Sequence, residues 1–279
     1  MKLSIAEILT ESASFYKNNF KYLISFSCIY VLIEAFFIAQ EITLDILMHQ
    51  PTSHQLIAML GSWIIISIGV LILVLIFGPR FLLAIIVQIN SVMKNKAMTL
   101  EQSYRETKGK YWVTLGCIVL VMLISGLPVL LLALLDLYNI FIGLLITLYV
   151  TSINALFFML LPLIALSKNT EGYIHRAVKL IKGNYIRVFF LYALTTSLLY
   201  FVYVTVEIEL VEISSRVVVG IFYLLILFFV FPFSQVVMVV VYRKLITENE
   251  PEVSQEMIES HSNAEQHDDF EQREVHYDE

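Results

Sequence analysis

Cysteine is nearly missing from this chain: there are two in 279 residues, Cys28 and Cys117, and both fall inside apolar stretches. That excludes a disulfide framework and a four-ligand zinc site, and leaves both as small apolar packing residues. Charge is scarce too, at 15% of residues. The sequence holds no H-E-x-x-H pair, no P-loop, no G-x-S-x-G elbow and no Cys and His constellation, so hydrolysis, phosphoryl transfer and redox catalysis lack the residues they need. The expectation is a protein that is not an enzyme, with no catalytic residues, no cofactor and no metal. Residues 1–20 are polar and amphipathic, without a short apolar core before a small-residue cleavage site, so the first apolar run is expected to stay in the mature chain.

Apolar surface is abundant. Hydrophobic residues make up 58% of the sequence and the mean hydropathy is +0.79, too apolar for one water-soluble core. Span-length runs cover Tyr22 to Ala39, Trp63 to Val87, Tyr111 to Leu135, Ile140 to Ala165, Val188 to Val206 and Val217 to Val241. Each is long enough to cross a ~30 Å hydrocarbon layer at ~1.5 Å per helical residue. Splitting the third and fourth runs into three spans at Ser125-Gly126-Leu127-Pro128 would leave a short first piece and reverse every later loop, so six spans is the better count.

Charge then sets the orientation. Of 18 Lys and Arg residues, 17 fall on one side of this six-span arrangement, and only Arg216 falls on the other. The positive-inside rule places that side, and both termini, in the cytoplasm. Residues 247–279 carry 12 acidic residues and one basic residue; such a segment cannot bury enough apolar surface to order itself, and is expected to be a disordered cytoplasmic tail. It could dock a basic protein partner or be simply solvated.

Three short stretches look alike: "KNNF" at Lys17, "KGKY" at Lys108 with Gly109, and "KGNY" at Lys182 with Gly183. Each follows a helical-looking segment and precedes a span, which reads as an amphipathic helix on the cytoplasmic leaflet turning at an interfacial elbow. Gly or Asn tolerates the left-handed conformation of a helix end, while Lys stays with the anionic headgroups. Capping boxes are expected at Ser4 with Glu7 and at Thr99 with Gln102, and a cap at Thr170. In the third copy Ile174, Ala177, Val178 and Ile181 form an apolar stripe, with His175, Arg176, Lys179 and Lys182 opposite. Every even-numbered span carries a proline, Pro79, Pro162 and Pro232, which follow their Lys by 62, 54 and 50 residues. The prediction is an all-α, polytopic membrane helix bundle: six transmembrane helices in three two-span repeats (about 4–93, 99–168 and 170–246), each preceded by a surface helix, with a membrane domain over 1–246.

The segments "YKNNF" and "IKGNY" and the last-span pattern "FPFSQVVMVVVYRKL" from Phe231 to Leu245 resemble poorly characterised bacterial six-span membrane families, including the membrane domain fused to some glycerophosphodiester phosphodiesterases. The resemblance covers residues 1–246 and implies a bacterial cytoplasmic membrane protein; it implies no phosphodiesterase activity, because these residues contain no such soluble domain. Mitochondrial carriers also have three two-span repeats with prolines, but here the prolines stand in the even spans without the carriers' charged followers.

Few ionisable residues lie at membrane depth. Glu34, ~18 Å into the first span by helical rise, is either a proton or cation site or a carboxyl near the outer interface. Arg80 is expected to snorkel to headgroups. Asn90, Asn154 and Gln235 are expected to bond between helices, and Gly126 and Pro128 to bend span three. Glu41, Asp45, His49 and His54, and Glu207, Glu209 and Glu212, are read as solvated loop residues. The basic residues alternate with apolar ones and suit anionic lipid, not nucleic acid. Together these features predict a non-catalytic scaffold or accessory factor. The alternative is a transporter or lipid-handling protein with a cavity between three proline-kinked spans.

Overall fold

The computed structural model describes residues 4–49, 53–96, 98–134, 140–167, 172–195 and 213–249. All regular structure among them is helical: α1 Ile5–His49, α2 Ser53–Met93, α3 Leu100–Glu106, α4 Tyr111–Leu134, α5 Ile140–Phe157, α6 Leu160–Leu166, α7 Tyr173–Ile181, an apolar α8 over Tyr185–Thr195, and α9 Ile213–Asn249. Five helices are long and apolar enough to cross a membrane, over Ile5–Phe36, Ile64–Met93, Tyr111–Leu132, Phe141–Leu166 and Gly220–Thr247. The fifth run of the sequence begins in α8, and its continuation past Thr195 lies outside the described residues, as does the tail beyond Asn249 and the cap expected at Thr170.

One expected surface helix does not exist as a separate element. α1 runs unbroken through Lys17, so no elbow forms at "KNNF". The reason is local. Gly109 and Gly183 turn their elbows at φ of 92° and 89°, a region that glycine enters freely and other residues only at a cost. Asn18 and Asn19 stand in the first copy, and the Asn19 amide instead donates to the Phe15 carbonyl four residues back (3.0 Å), which suits a continuing helix. At its other end α1 extends through Glu41 and Asp45 to His49, and α2 starts at Ser53, before His54. The connection between α1 and α2 is therefore shorter than the sequence suggested, and three of its four expected polar residues belong to α1.

Of the two expected capping boxes, the one at α3 is complete and the one at α1 shows a single bond. Thr99 and Gln102 make a reciprocal capping box at α3 (3.2 and 2.8 Å). Ser4 accepts from the Glu7 N–H at a longer 3.4 Å. α7 opens instead on Gly172 at φ 64° without a side-chain cap.

α1 and α9 pack antiparallel along most of their length, joining the first and last membrane helices. Lys244 bridges Glu7 (2.6 Å) and Glu11 (3.0 Å) at the basic end. Further along, Phe20 stacks on Phe229, Tyr30 lies flat on Phe231 with centroids 3.9 Å apart, and a Cβ on Gly220 would meet Ile38 at 3.1 Å. The continuous core gathers Ile8, Leu23 and Phe26 with Leu83 to Ile89 of α2, Leu160 to Ala165 of α6, one face of α7 and Val236 to Ile246 of α9. All of these lie toward the basic ends of their helices. The opposite halves, from Ile64 to Phe77, Leu123 to Leu131, Phe141 to Leu148 and Ile221 to Phe229, display exposed large apolar side chains, the surface a helix presents to lipid.

Candidate functional site

The prolines organise the polar chemistry at membrane depth. A proline at position i lacks the N–H that would bond the carbonyl at i−4, and its ring crowds that carbonyl. Pro79 frees Leu75, whose oxygen accepts from the Tyr111 hydroxyl at 3.0 Å. Pro128 frees Ile124, which accepts from Tyr149 at 2.8 Å. Near Pro232, Tyr16 donates at 2.9 Å to Phe229, one residue beyond the freed carbonyl. For Pro79 and Pro128 a neighbouring helix supplies the donor that a proline-bearing membrane helix needs, and at Pro232 it supplies one to the adjoining carbonyl.

Pro162 has no such donor among the described residues. Tyr185, the elbow aromatic that corresponds to Tyr111, donates instead to Ser152 at 3.2 Å. Here the helix breaks: α5 ends at Phe157, Phe158 and Met159 form a turn, and α6 restarts at Leu160. α2 and α9 pass their prolines without interruption. Pro79, Pro162 and Pro232 are all buried. Tyr111 and Tyr185 close the sequence patterns KGKY and KGNY, which do not reveal that their hydroxyls serve carbonyls of neighbouring helices. The available signal is that each proline inside a span needs a hydroxyl within reach.

Basic residues near the elbows serve helix C-termini, where unsatisfied carbonyls favour positive charge. Arg80 does not snorkel to headgroups: it donates to the Tyr104 carbonyl at the end of α3 (2.8 Å) and lies over the Tyr104 ring. Lys110 donates to Ala165 (2.8 Å) and Ser167 (3.3 Å) at the end of α6, and burial lowers its pKa against the opposing pull of Glu106. Burial also lowers Lys94, reinforced by the positive charges of Arg243 and Lys96. Lys17, Lys108 and Lys182 reach none of these carbonyls.

A cavity of about 330 Å³ opens between α4, α5, α8 and α9, lined by Cys117, Val121, Phe157, Tyr192 and Met238 among others. It lies beside the break at Pro162 and near Pro232, away from Pro79, so it is not enclosed by all three prolines. Asn154 and Gln235 line it and do not bond between helices as expected. Asn154 donates to Val150 of its own helix (2.9 Å), and Gln235 has no hydrogen-bond partner among the described residues. Of the two cysteines, Cys117 is half-buried on the cavity wall and Cys28 is exposed.

Glu34 is half-buried and stands one helical turn from Tyr30 on α1; Arg80 is engaged elsewhere, at Tyr104. No group of three or more metal-ligating side chains occurs among the described residues. The carboxylates at Glu207, Glu209 and Glu212 lie outside them. No known family, characterised protein or solved structure matches the chain.

Proposed function

We propose that this chain is a non-catalytic scaffold or accessory protein of a bacterial cytoplasmic membrane. In this reading it crosses the bilayer six times as three two-span repeats, with both termini in the cytoplasm. The observation that carries the reading is the use made of polar groups at membrane depth. Tyr16, Tyr111 and Tyr149 donate to carbonyls at or beside those that prolines free, while Asn154 and Thr195 bond their own helices. The tyrosines tie one helix to another and the other two are taken up by their own backbone, the usual roles of polar side chains in lipid.

The repeat is supported by Gly109 and Gly183, which share the left-handed turn, and by the direction of the tyrosine bonds. Tyr111 of the second unit reaches the proline-bearing helix of the first, Tyr185 of the third reaches α5, ahead of the proline-bearing α6 of the second, and Tyr16 of the first reaches the proline-bearing helix of the third. A cyclic order of this kind suits an axis along the membrane normal. Crosslinking in intact cells followed by mass spectrometry tests the function. A scaffold returns one or a few membrane proteins reproducibly; recovery of the chain alone, with and without the acidic tail, rejects it. Transport or lipid handling is a second reading, favoured by the cavity beside Pro162, and predicts that Pro162→Ala changes the flux of a solute or lipid in vesicles.

A further inference from the structure

The cavity wall has a chemical gradient along the membrane normal. Its lining is mainly apolar, from Cys117 to Met122 of α4 and Phe157 to Leu161 around the Pro162 break. Its volume, about 330 Å³, lies at the small end of ligand-sized pockets, ~300–1,000 Å³. Toward the cytoplasmic ends of the same helices the chemistry changes sign. Arg187, half-buried in the first turn of α8, is five residues before Tyr192, or ~7.5 Å along the axis. Lys110 is seven residues before Cys117, ~10 Å. α7 packs against α5, α6 and α9 at this end, and it brings Arg176 and Lys179, with Lys182 at its C-cap.

A half-open apolar pocket at the depth of acyl chains, with cations one to two turns further along the helices that line it, matches one kind of molecule. We propose that the cavity holds an acyl chain of one anionic phospholipid from the cytoplasmic leaflet, whose phosphate meets Arg187 near the α7–α8 elbow. Arg187 commits one N–H to Asn184 (3.2 Å), and a guanidinium has five, so donors remain for a phosphate. The break at Pro162 makes the site: it ends α5 at Phe157 and turns Phe158 onto the cavity wall, where a straight helix would have continued. A resident lipid of this kind requires no turnover and would fasten the second and third units together. The inference rests on the cytoplasmic placement of the basic ends.

The test uses the full chain in vesicles of equal parts phosphatidylglycerol and phosphatidylcholine, with a photoreactive diazirine on the acyl chain of one lipid or the other, and crosslinks mapped by mass spectrometry. Phosphatidylglycerol should label Cys117, Ile118, Val121, Phe157 and Phe158 above the lipid-facing Leu144 and Leu148, and exceed phosphatidylcholine there by about fivefold, the factor expected for one basic residue near a charged headgroup. Arg187→Gln should erase that preference while leaving labelling at Leu144 unchanged. Val121→Trp should fill the chamber and abolish its labelling in a protein that still melts cooperatively. Equal labelling by both lipids, or cavity labelling that survives Val121→Trp, overturns the proposal. An error in the orientation is visible separately, as cleavage of the tail by protease added outside intact cells.

Discussion

The basic and the distal halves of this bundle are built from nearly the same apolar residues and behave differently. Ile86, in the basic half of α2, is fully buried, whereas Ile65 in the distal half of the same helix is 71% exposed. Composition does not separate them. In lipid an apolar side chain gains nothing by leaving solvent, so helices associate only where packing, hydrogen bonds or ion pairs reward it. The basic half has all three: α3 packs on α2, α6 and α7 pack on each other and on α5 and α9, Arg80 and Lys110 hold helix C-termini, and Lys244 joins α9 to α1. The distal half depends on sparse close approaches, such as Gly220 against Ile38.

The strongest test of this contrast is a matched pair of truncations. Ile86→Ala should lower stability by ~1–2 kcal/mol through the packing lost at the cavity it leaves, without the water-transfer part of the cost in soluble cores, while Ile65→Ala should leave it nearly unchanged; equal losses in a micelle unfolding titration would erase the distinction between the halves. Of comparable size, Gly220→Leu should force α9 away from Ile38 and lower stability by ~1–3 kcal/mol. It should also increase proteolysis of the distal ends of α1 and α9, with the basic half still protected.

The proline and tyrosine pairs sharpen the comparison at the depth between the halves. Tyr111→Phe should lower stability by ~0.5–1.5 kcal/mol, but by clearly less in a Pro79→Ala background, because the substituted alanine restores a backbone donor to Leu75. A double-mutant cycle measures the coupling, and additive losses would show that the hydroxyl does not serve the freed carbonyl. Gly183→Ala should cost ~1–2 kcal/mol through its positive φ. Asn18→Ala, at the matching place in α1, should cost nothing, because the helix never turns there.

The smallest effect concerns pH. Lys94 has a folded pKa below its unfolded value, so the unfolded chain binds more protons between the two. Stability should therefore rise as pH climbs through the depressed pKa toward the ordinary lysine value, and level off above it. Lys94→Gln should flatten that part of the profile in melting experiments.

Much of the architecture is legible along the chain. Long apolar runs are a property of consecutive residues, so the spans can be read from local composition, and Thr99 with Gln102 announces its capping box because both partners lie within one turn. Reading fails where the deciding contact is distant in sequence. Arg80 looks like a headgroup anchor because Tyr104 is 24 residues away, and Lys17 looks like an elbow because its match to Lys108 and Lys182 hides the absence of glycine. Asn154 and Gln235 read as links between helices, and their side chains instead border a cavity.

By itself, then, the sequence determined that this is a helical protein suited to lipid, since hydropathy and helical rise are fixed by neighbouring residues. Tertiary structure alone decided which proline breaks its helix and where an internal space remains. A freed carbonyl is satisfied or left open by whichever hydroxyl folding brings to it, and Tyr111 reaches Leu75 while Tyr185 passes Phe158 by.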